Sequence, residues 1–149
     1  MIASNCRNIV SINVSRCSNL TPLALESITD YLLKLRTLNI SFNSGMIVGF
    51  GSPQKLRDLK GLKELDLSYT EISDGKLESV VRGLKDSLVA LSLEACMKVT
   101  ILGLEIICAV QGRLRKINLY ETACEQQSQA ELKLIEETYK GIELYYHRD

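Results

Sequence analysis

The sequence predicts an α/β fold: a curved solenoid of about six repeats, with a parallel β-sheet on the concave face and helices on the convex face. Two observations predict it. The spacing apolar-x-x-apolar-x-apolar-x-x-polar or cysteine recurs along the chain at intervals of 25 to 27 residues. Within each copy, apolar residues first alternate with period two, as in a strand with one buried face, and then recur at three and four, as in an amphipathic helix.

Each copy predicts one strand, around its second and third apolar positions, followed by one helix. Neither element can bury its apolar face alone, so neighbouring copies must stack. The copies start near residues 9, 35, 62, 88, 114 and 139, and we expect a single domain over residues 1–149. Their defining positions are Ile9, Ile12, Val14, Cys17; Leu35, Leu38, Ile40, Asn43; Leu62, Leu65, Leu67, Thr70; Leu88, Leu91, Leu93, Cys96; Leu114, Ile117, Leu119, Thr122; and Tyr139, Ile142, Leu144, His147.

Cap residues mark the ends of the predicted helices. Thr21 and Ser52 each precede a proline, which is the favoured order for an N-cap and the first helical residue. Ser128 and Glu131 have the spacing of a capping box. Glycines expected to be left-handed C-caps lie just before the next strand, at Gly61, Gly112 and Gly141.

The last position of each copy lies where the strand ends and backbone N–H and C=O groups leave the sheet. Short polar or thiol side chains there are expected to bond to the backbone of the neighbouring repeat. We expect this structural role for Cys17 and Cys96, the alternative being a reactive or metal-bound thiol. Cys108, in an apolar run, is expected in the core.

The spacing resembles the leucine-rich repeat, L-x-x-L-x-L-x-x-N/C-x-L, over nearly the whole chain. It is most similar to the cysteine-containing subclass, because Cys6, Cys17 and Cys96 follow that subclass pattern. The subclass is typical of substrate-receptor subunits of F-box, cullin-type ubiquitin ligases. The resemblance therefore implies a non-enzymatic module that binds a protein, with substrate recognition for a ubiquitin ligase as one form of that role. The other copies carry Asn43, Thr70, Thr122 and His147 where the subclass has cysteine.

Composition narrows the partners. The chain has 149 residues, and 18 Lys plus Arg balance 18 Asp plus Glu, so no overall basic field exists to attract nucleic acid or anionic lipid. No signal peptide and no apolar run of membrane-span length are present in the sequence. Five cysteines without a C-x-x-C pair suit free thiols in a reducing compartment. We expect a cytoplasmic or nuclear protein.

Catalytic and cofactor signals are weak. The sole histidine is His147, which lies near the C-terminus, where chains tend to fray. One histidine without a close cysteine pair does not make a typical zinc site. Carboxylates are scattered without a recognisable constellation. We therefore expect no enzyme activity, no metal and no cofactor.

A glycine-rich segment follows the second predicted strand, over residues 44–54. Its Gly49-Phe50-Gly51 satisfies neither the Walker loop nor the dinucleotide-binding pattern. We interpret the segment as a longer loop, in which Met46 and Phe50 form a lip on that edge, with nucleotide binding as the alternative.

Exposed strand positions face the concave side of a solenoid, which is its usual binding surface. Five of the eight aromatic residues fall on these positions. Tyrosine and arginine together are typical of interface anchors, although cross-strand packing alone is the other interpretation. Mixed charge favours a folded protein or peptide over nucleic acid. The predicted protein-binding residues are Arg16, Arg36, Phe42, Asp66, Tyr69, Glu94, Arg115, Asn118, Tyr120, Tyr145 and Tyr146.

Repeat arrays need terminal caps with a polar outer face, and the sequence pattern indicates none at either end. Either the chain belongs to a longer protein, or its ends dock onto neighbouring chains. The second possibility gives an alternative function, a structural scaffold subunit of a larger complex.

Overall fold

The computed structural model describes residues 2–43, 53–110 and 112–148. Within them the chain is an α/β structure with a six-stranded, all-parallel sheet in sequential order. The predicted α/β class and parallel sheet are thereby confirmed. The strands are β1 (Ser11–Asn13), β2 (Thr37–Asn39), β3 (Glu64–Asp66), β4 (Ala90–Ser92), β5 (Lys116–Asn118) and β6 (Glu143–Tyr145).

Helices alternate with the strands and pack in a row beside one another. They are α1 (Ile2–Asn5), α2 (Pro22–Tyr31), a 3-10 helix (Pro53–Asp58), α3 (Asp74–Leu84), α4 (Ile101–Val110), α5 (Ala123–Gln127) and α6 (Gln129–Thr138). Contacts run from α1 to α2, through the 3-10 helix to α3 and α4, and from α4 to α5 and α6. None of the helices in the described ranges is long and apolar enough to cross a membrane.

The middle residue of each strand points toward the helices, and the two flanking residues point the opposite way. From β2 to β6 the middle residues are at most 4% exposed, because the helices cover them. The flanking residues form what we call the open face, and none of them is buried. The open face consists of Ser11, Asn13, Thr37, Asn39, Glu64, Asp66, Ala90, Ser92, Lys116, Asn118, Glu143 and Tyr145.

The last strand pairs in a different register from the one that the sequence pattern predicts. Leu144 lies opposite Ile117, so it takes the second apolar position of its copy rather than the third. Tyr146 then takes the third position and is only 4% exposed. The prediction that Tyr146 lies on the binding face is wrong. Ile142, Leu144 and Tyr146 alternate with period two, and this strand pattern places all three side chains in the core.

Polar side chains at the strand ends bond to backbone carbonyls, as predicted for this position, but not uniformly. The amide of Asn43 donates to Val14 O at 2.7 Å, and the thiol of Cys96 donates to Leu67 O at 3.2 Å, in both cases across to the preceding strand segment. Thr70 bonds within its own segment instead. Cys17 is exposed because β1 has no preceding strand among the described residues, so its predicted structural role is wrong.

The predicted caps are confirmed in part. Ser128 accepts a hydrogen bond from the backbone N–H of Glu131 at 3.3 Å, and Thr21 stands at an N-cap without a side-chain bond. The expectation of left-handed glycine C-caps is wrong, since no described glycine has a positive φ. At Gly112 the requirement is space, because a Cβ there would collide with the carbonyl oxygen of Lys85. Ser52 and the glycine-rich segment up to residue 52, with Met46 and Phe50, lie outside the described residues.

Candidate protein-binding surface

The open face forms a shallow groove of about 330 Å³. Because the strands are parallel and in register, side chains at equivalent positions line up in rows across it. Its lining includes charged side chains of both signs, Glu64, Asp66 and Lys116. Its other open-face residues are Thr37, Asn39, Ala90, Ser92, Asn118 and Tyr145.

A second row runs along the edge where the strands end. Here the backbone turns through the left-handed region, with φ between 53° and 59°, at five successive equivalent positions. Each of these residues has a side chain, so the turn projects one side chain per repeat in a column. We call this the exit column; it consists of Arg16, Phe42, Tyr69, Ala95 and Glu121.

Three side chains of the exit column stack on one another. The Arg16 guanidinium lies 4.3 Å from the Phe42 ring centroid. The Phe42 and Tyr69 rings are 4.0 Å apart and within 11° of parallel. We call Arg16, Phe42 and Tyr69 the aromatic ladder. Stacking of this kind holds large side chains in a fixed arrangement at the surface, where 37% of Phe42 remains exposed.

The ladder ends on a carboxylate. The hydroxyl of Tyr69 donates to Glu94 Oε1 at 3.1 Å, and this hydrogen bond is the main reason why the pKa of Tyr69 is raised. The other Glu94 oxygen accepts from the side-chain amide of Asn118 at 3.4 Å. Three of the predicted binding residues, Tyr69, Glu94 and Asn118, are therefore in direct contact.

Asp66 and Asn118 also have a structural task that the sequence pattern did not indicate. Asp66 Oδ1 accepts the backbone N–H of Ser68 at 2.9 Å, and Asn118 Oδ1 accepts that of Tyr120 at 3.1 Å. The second oxygen of Asp66 accepts from the Asn39 amide at 2.8 Å. These side chains fix the turn at the strand end, so part of their hydrogen-bonding capacity is already used.

A second aromatic group lies at the β6 end of the sheet. Tyr120 meets the imidazole of His147 edge to face, with ring centroids 4.8 Å apart. The Nδ1 atom of His147 lies 2.9 Å from Oε1 of buried Glu125. Tyr145 is 39% exposed and donates to Glu143 at 2.7 Å.

His147 was not among the predicted binding residues because the sequence pattern places it at the strand end. With the register that the structure shows, it lies beside Tyr120 instead. Tyr146, whose ring lies in the core, donates a hydrogen bond from its hydroxyl to Glu136 Oε2 at 3.0 Å. The period-two run of Ile142, Leu144 and Tyr146 was the signal in the sequence that Tyr146 shares the buried face of the strand.

Arg36 and Arg115 directly precede β2 and β5, so they lie at the amino-terminal ends of the strands. The aromatic ladder lies at the opposite, carboxyl-terminal ends. Arg36 donates to Gly61 O at 2.9 Å, and Arg115 donates to Leu114 O at 2.7 Å. Both remain exposed. The structure therefore brings most predicted residues to the strand ends and leaves these two arginines on the other rim.

Cysteine and metal chemistry are not concentrated on this surface. Burial raises the pKa of Cys96, Cys108 and Cys124, that of Cys108 to about 12. Cys6 and Cys17 are exposed free thiols. Among the described residues, no group of three His, Cys, Asp or Glu side chains has an arrangement that holds a metal ion.

No protein-family model matches the chain, and no curated protein matches it significantly.

Proposed function

We propose that this chain is a leucine-rich repeat solenoid that binds another protein through its open face, as a non-enzymatic recognition module. The sequence repeat and the sequential parallel sheet support the repeat architecture. The observation that carries the function is the stacked aromatic ladder beside the groove. Fixed, partly exposed aromatic and arginine side chains lose little conformational freedom on binding, which is typical of interface anchors.

The charged side chains of the groove favour a polypeptide as the partner. Glu64 and Lys116 are exposed in the same row of the groove, two strands apart, and Tyr145 stands at its margin. Interleaved charges of both signs suit position-specific pairing with a protein surface, whereas a nucleic-acid groove needs a consistent positive field.

Affinity capture tests this proposal. The tagged chain is compared with an open-face variant that combines Glu64→Lys, Lys116→Glu and Tyr145→Ala. The matched control makes equivalent changes on the exposed side of α6: Glu137→Lys, Lys133→Glu and Leu134→Ala. We expect proteins captured by the wild type and the control to be lost with the open-face variant. Equal capture by all three would contradict binding through the open face.

The resemblance to the cysteine-containing subclass supports a more specific form of the proposal, substrate recognition for a cullin-type ubiquitin ligase. Cullin-ligase subunits captured together with the open-face-dependent partner are the expected result. If a partner is captured without any such subunit, the chain is a recognition module that does not act in ubiquitin ligation.

A second candidate function, a scaffold subunit that docks through its ends, is favoured by one observation at the β1 edge. Ile9, Ile12 and Val14 are only half-buried there, although Leu35, Leu38 and Ile40 at the equivalent positions of the next copy are buried. With neighbouring residues of α1 and α2 they line an apolar groove of about 270 Å³. At the β6 end, by contrast, Ile142 and Leu144 are buried, so the docking proposal is confined to the β1 edge.

The scaffold proposal predicts that a charged residue in this groove reduces association without unfolding the chain. Sedimentation equilibrium of the wild type, of Val14→Glu and of the surface control Leu134→Glu measures this. We expect concentration-dependent association in the wild type and in the control, and reduced association in Val14→Glu. A wild type that is monomeric at all concentrations tested would count against self-docking.

A further inference from the structure

The aromatic ladder stops abruptly at Tyr69. Phe42 covers one face of the Tyr69 ring, and the next residue of the exit column on the other side is Ala95. Because alanine is the shortest side chain in the column, a notch of about 240 Å³ opens there. Tyr69, Ala95 and Met97 line it, together with Thr70, Glu71 and Lys98.

The notch has a negative electrostatic environment. Lys98 and Glu71 neutralise each other in an ion pair of 2.8 Å on its rim. The carboxylates of Glu94 and Glu121 remain. Glu94 accepts the Tyr69 hydroxyl at 3.1 Å, and Glu121 follows Ala95 in the exit column, on the far side of the notch from Tyr69. Both charges also raise the pKa of Tyr69, after the hydrogen bond to Glu94 and burial. Arg16, the opposing charge, is separated from the notch by the thickness of the Phe42 and Tyr69 rings. A positively charged group in the notch would therefore be stabilised.

We propose that the notch receives an arginine side chain of the protein partner, whose guanidinium stacks on the free face of Tyr69 and pairs with Glu94 and Glu121. This inference rests on the proposed function, for which it names the recognised side chain. Arginine fits for two reasons: its planar guanidinium stacks on aromatic faces, and its N–H groups match carboxylates. The column already contains the same contact in reverse, where Arg16 stacks on Phe42.

Other side chains fit the notch less well. Lysine offers a point charge without a stacking plane, so it loses the contact with the ring. A phenyl or indole ring stacks but brings no positive charge to the two carboxylates. Aspartate and glutamate would be repelled by Glu94 and Glu121.

The test begins with a phage-displayed library of random peptides, selected against the whole chain. The tightest peptides are synthesised with a fluorescent label, and their affinities are measured by fluorescence anisotropy. We expect an arginine to be enriched in the selected sequences. Replacing that arginine by alanine in the peptide is expected to weaken binding about tenfold or more, which corresponds to a stacked, ion-paired contact.

Protein variants then locate the contact. Tyr69→Ala removes the stacking face, Ala95→Arg fills the notch from within the chain, and Glu121→Lys reverses one charge. Each variant is expected to bind the arginine peptide about tenfold more weakly than the wild type does. The α6 surface control Glu137→Lys is expected to bind it as tightly as the wild type. Thermal unfolding followed by circular dichroism verifies that each variant is folded, and three separate variants keep the test valid if one is not.

The outcomes separate this inference from the proposed function. Peptides that lack arginine, or that bind all three notch variants as tightly as the wild type, overturn the arginine site. If the same peptides still lose binding to the open-face triple variant, the proposed function stands. Peptides that bind every variant equally, or a library that yields no binder, contradict both.

Discussion

At the residue scale, the exit column depends on a left-handed backbone conformation that residues other than glycine rarely adopt. A left-handed residue with a Cβ costs roughly 1–2 kcal/mol. Backbone hydrogen bonds to the next repeat hold it there: the N–H groups of Phe42, Tyr69 and Ala95 donate to Ser68, Glu94 and Tyr120 at 2.7 to 3.0 Å. The same bonds that join successive strand segments therefore place the ladder.

The residue at the notch offers a direct measure of this strain. Ala95 has φ 53°, a conformation that glycine adopts without a steric cost. We expect Ala95→Gly to raise the free energy of unfolding by about 0.5–1 kcal/mol, the steric cost less the extra entropy of glycine. Urea denaturation measures the change. Ala109→Gly, in α4, serves as a control of opposite sign, with an expected loss of about 1 kcal/mol. Equal losses in both variants would contradict left-handed strain at Ala95.

Buried thiols predict how stability changes at alkaline pH. Burial raises the pKa of Cys108 to about 12, whereas in the unfolded chain it is about 8.5. The unfolded chain therefore loses this proton first, and the contribution of Cys108 to stability is complete below pH 8.5 and falls as pH rises toward 12. We expect a slope of about 1.4 kcal/mol per pH unit from this thiol. Urea denaturation at a series of pH values in this range measures the free energy of unfolding. Its fall with pH should be less steep for Cys108→Ala than for the wild type, and an identical dependence on pH would contradict the prediction.

At the element scale, buried side chains donate hydrogen bonds to the backbone carbonyls that directly follow β1, β2, β3 and β5. Asn43 is the most connected case: its amide donates to Val14 O and Ser41 O at 2.7 and 3.0 Å, and to Ile40 O at 3.2 Å. It is 3% exposed, so water cannot replace these bonds. The end of β2 and the end of β1 are joined through this one amide.

We therefore expect Asn43→Ala to lower the free energy of unfolding by about 1–3 kcal/mol, the cost of leaving buried carbonyls unpaired. Asn19→Ala changes the same residue type at an exposed position and is expected to have a negligible effect. Chemical denaturation of both variants measures the difference. Similar effects of the two substitutions would show that the buried amide is not a structural link.

At the scale of the whole molecule, the six described strands pair only with their neighbours in the chain, so β6 depends on local attachments. Glu125 is the principal one. It is 7% exposed, it accepts the backbone N–H of Glu121 at 2.5 Å and that of His147, and it lies 2.9 Å from the His147 ring. One carboxylate thus joins α5 to the segment after β6.

Glu125→Ala is expected to loosen β6 selectively. Hydrogen exchange should become about tenfold faster for the amides of 143–147, reflecting the loss of charge-assisted hydrogen bonds, while β3 and β4 keep their protection. Glu137→Ala, on the exposed side of α6, is the control. Acceleration spread evenly over all strands would indicate a global loss of stability and contradict local attachment.

The sequence by itself determined the α/β class, the parallel sheet and the position of most strands, because a period of two followed by a helical period is a local property. It also placed Phe42, Tyr69, Tyr120 and Tyr145 on the surface correctly. These predictions need only the alternation of side chains along one segment of chain.

Only the tertiary structure decided which exposed side chains are available and how they are arranged. The bonds that occupy Asp66 and Asn118, the stacking of Phe42 on Tyr69, and the notch beside Ala95 all depend on neighbours about one repeat away. The register of β6 also depends on pairing with β5. Either Ile142 and Leu144 or Leu144 and Tyr146 can take the second and third apolar positions of the last copy. Contacts between repeats are set by packing, and a pattern within one repeat does not contain them.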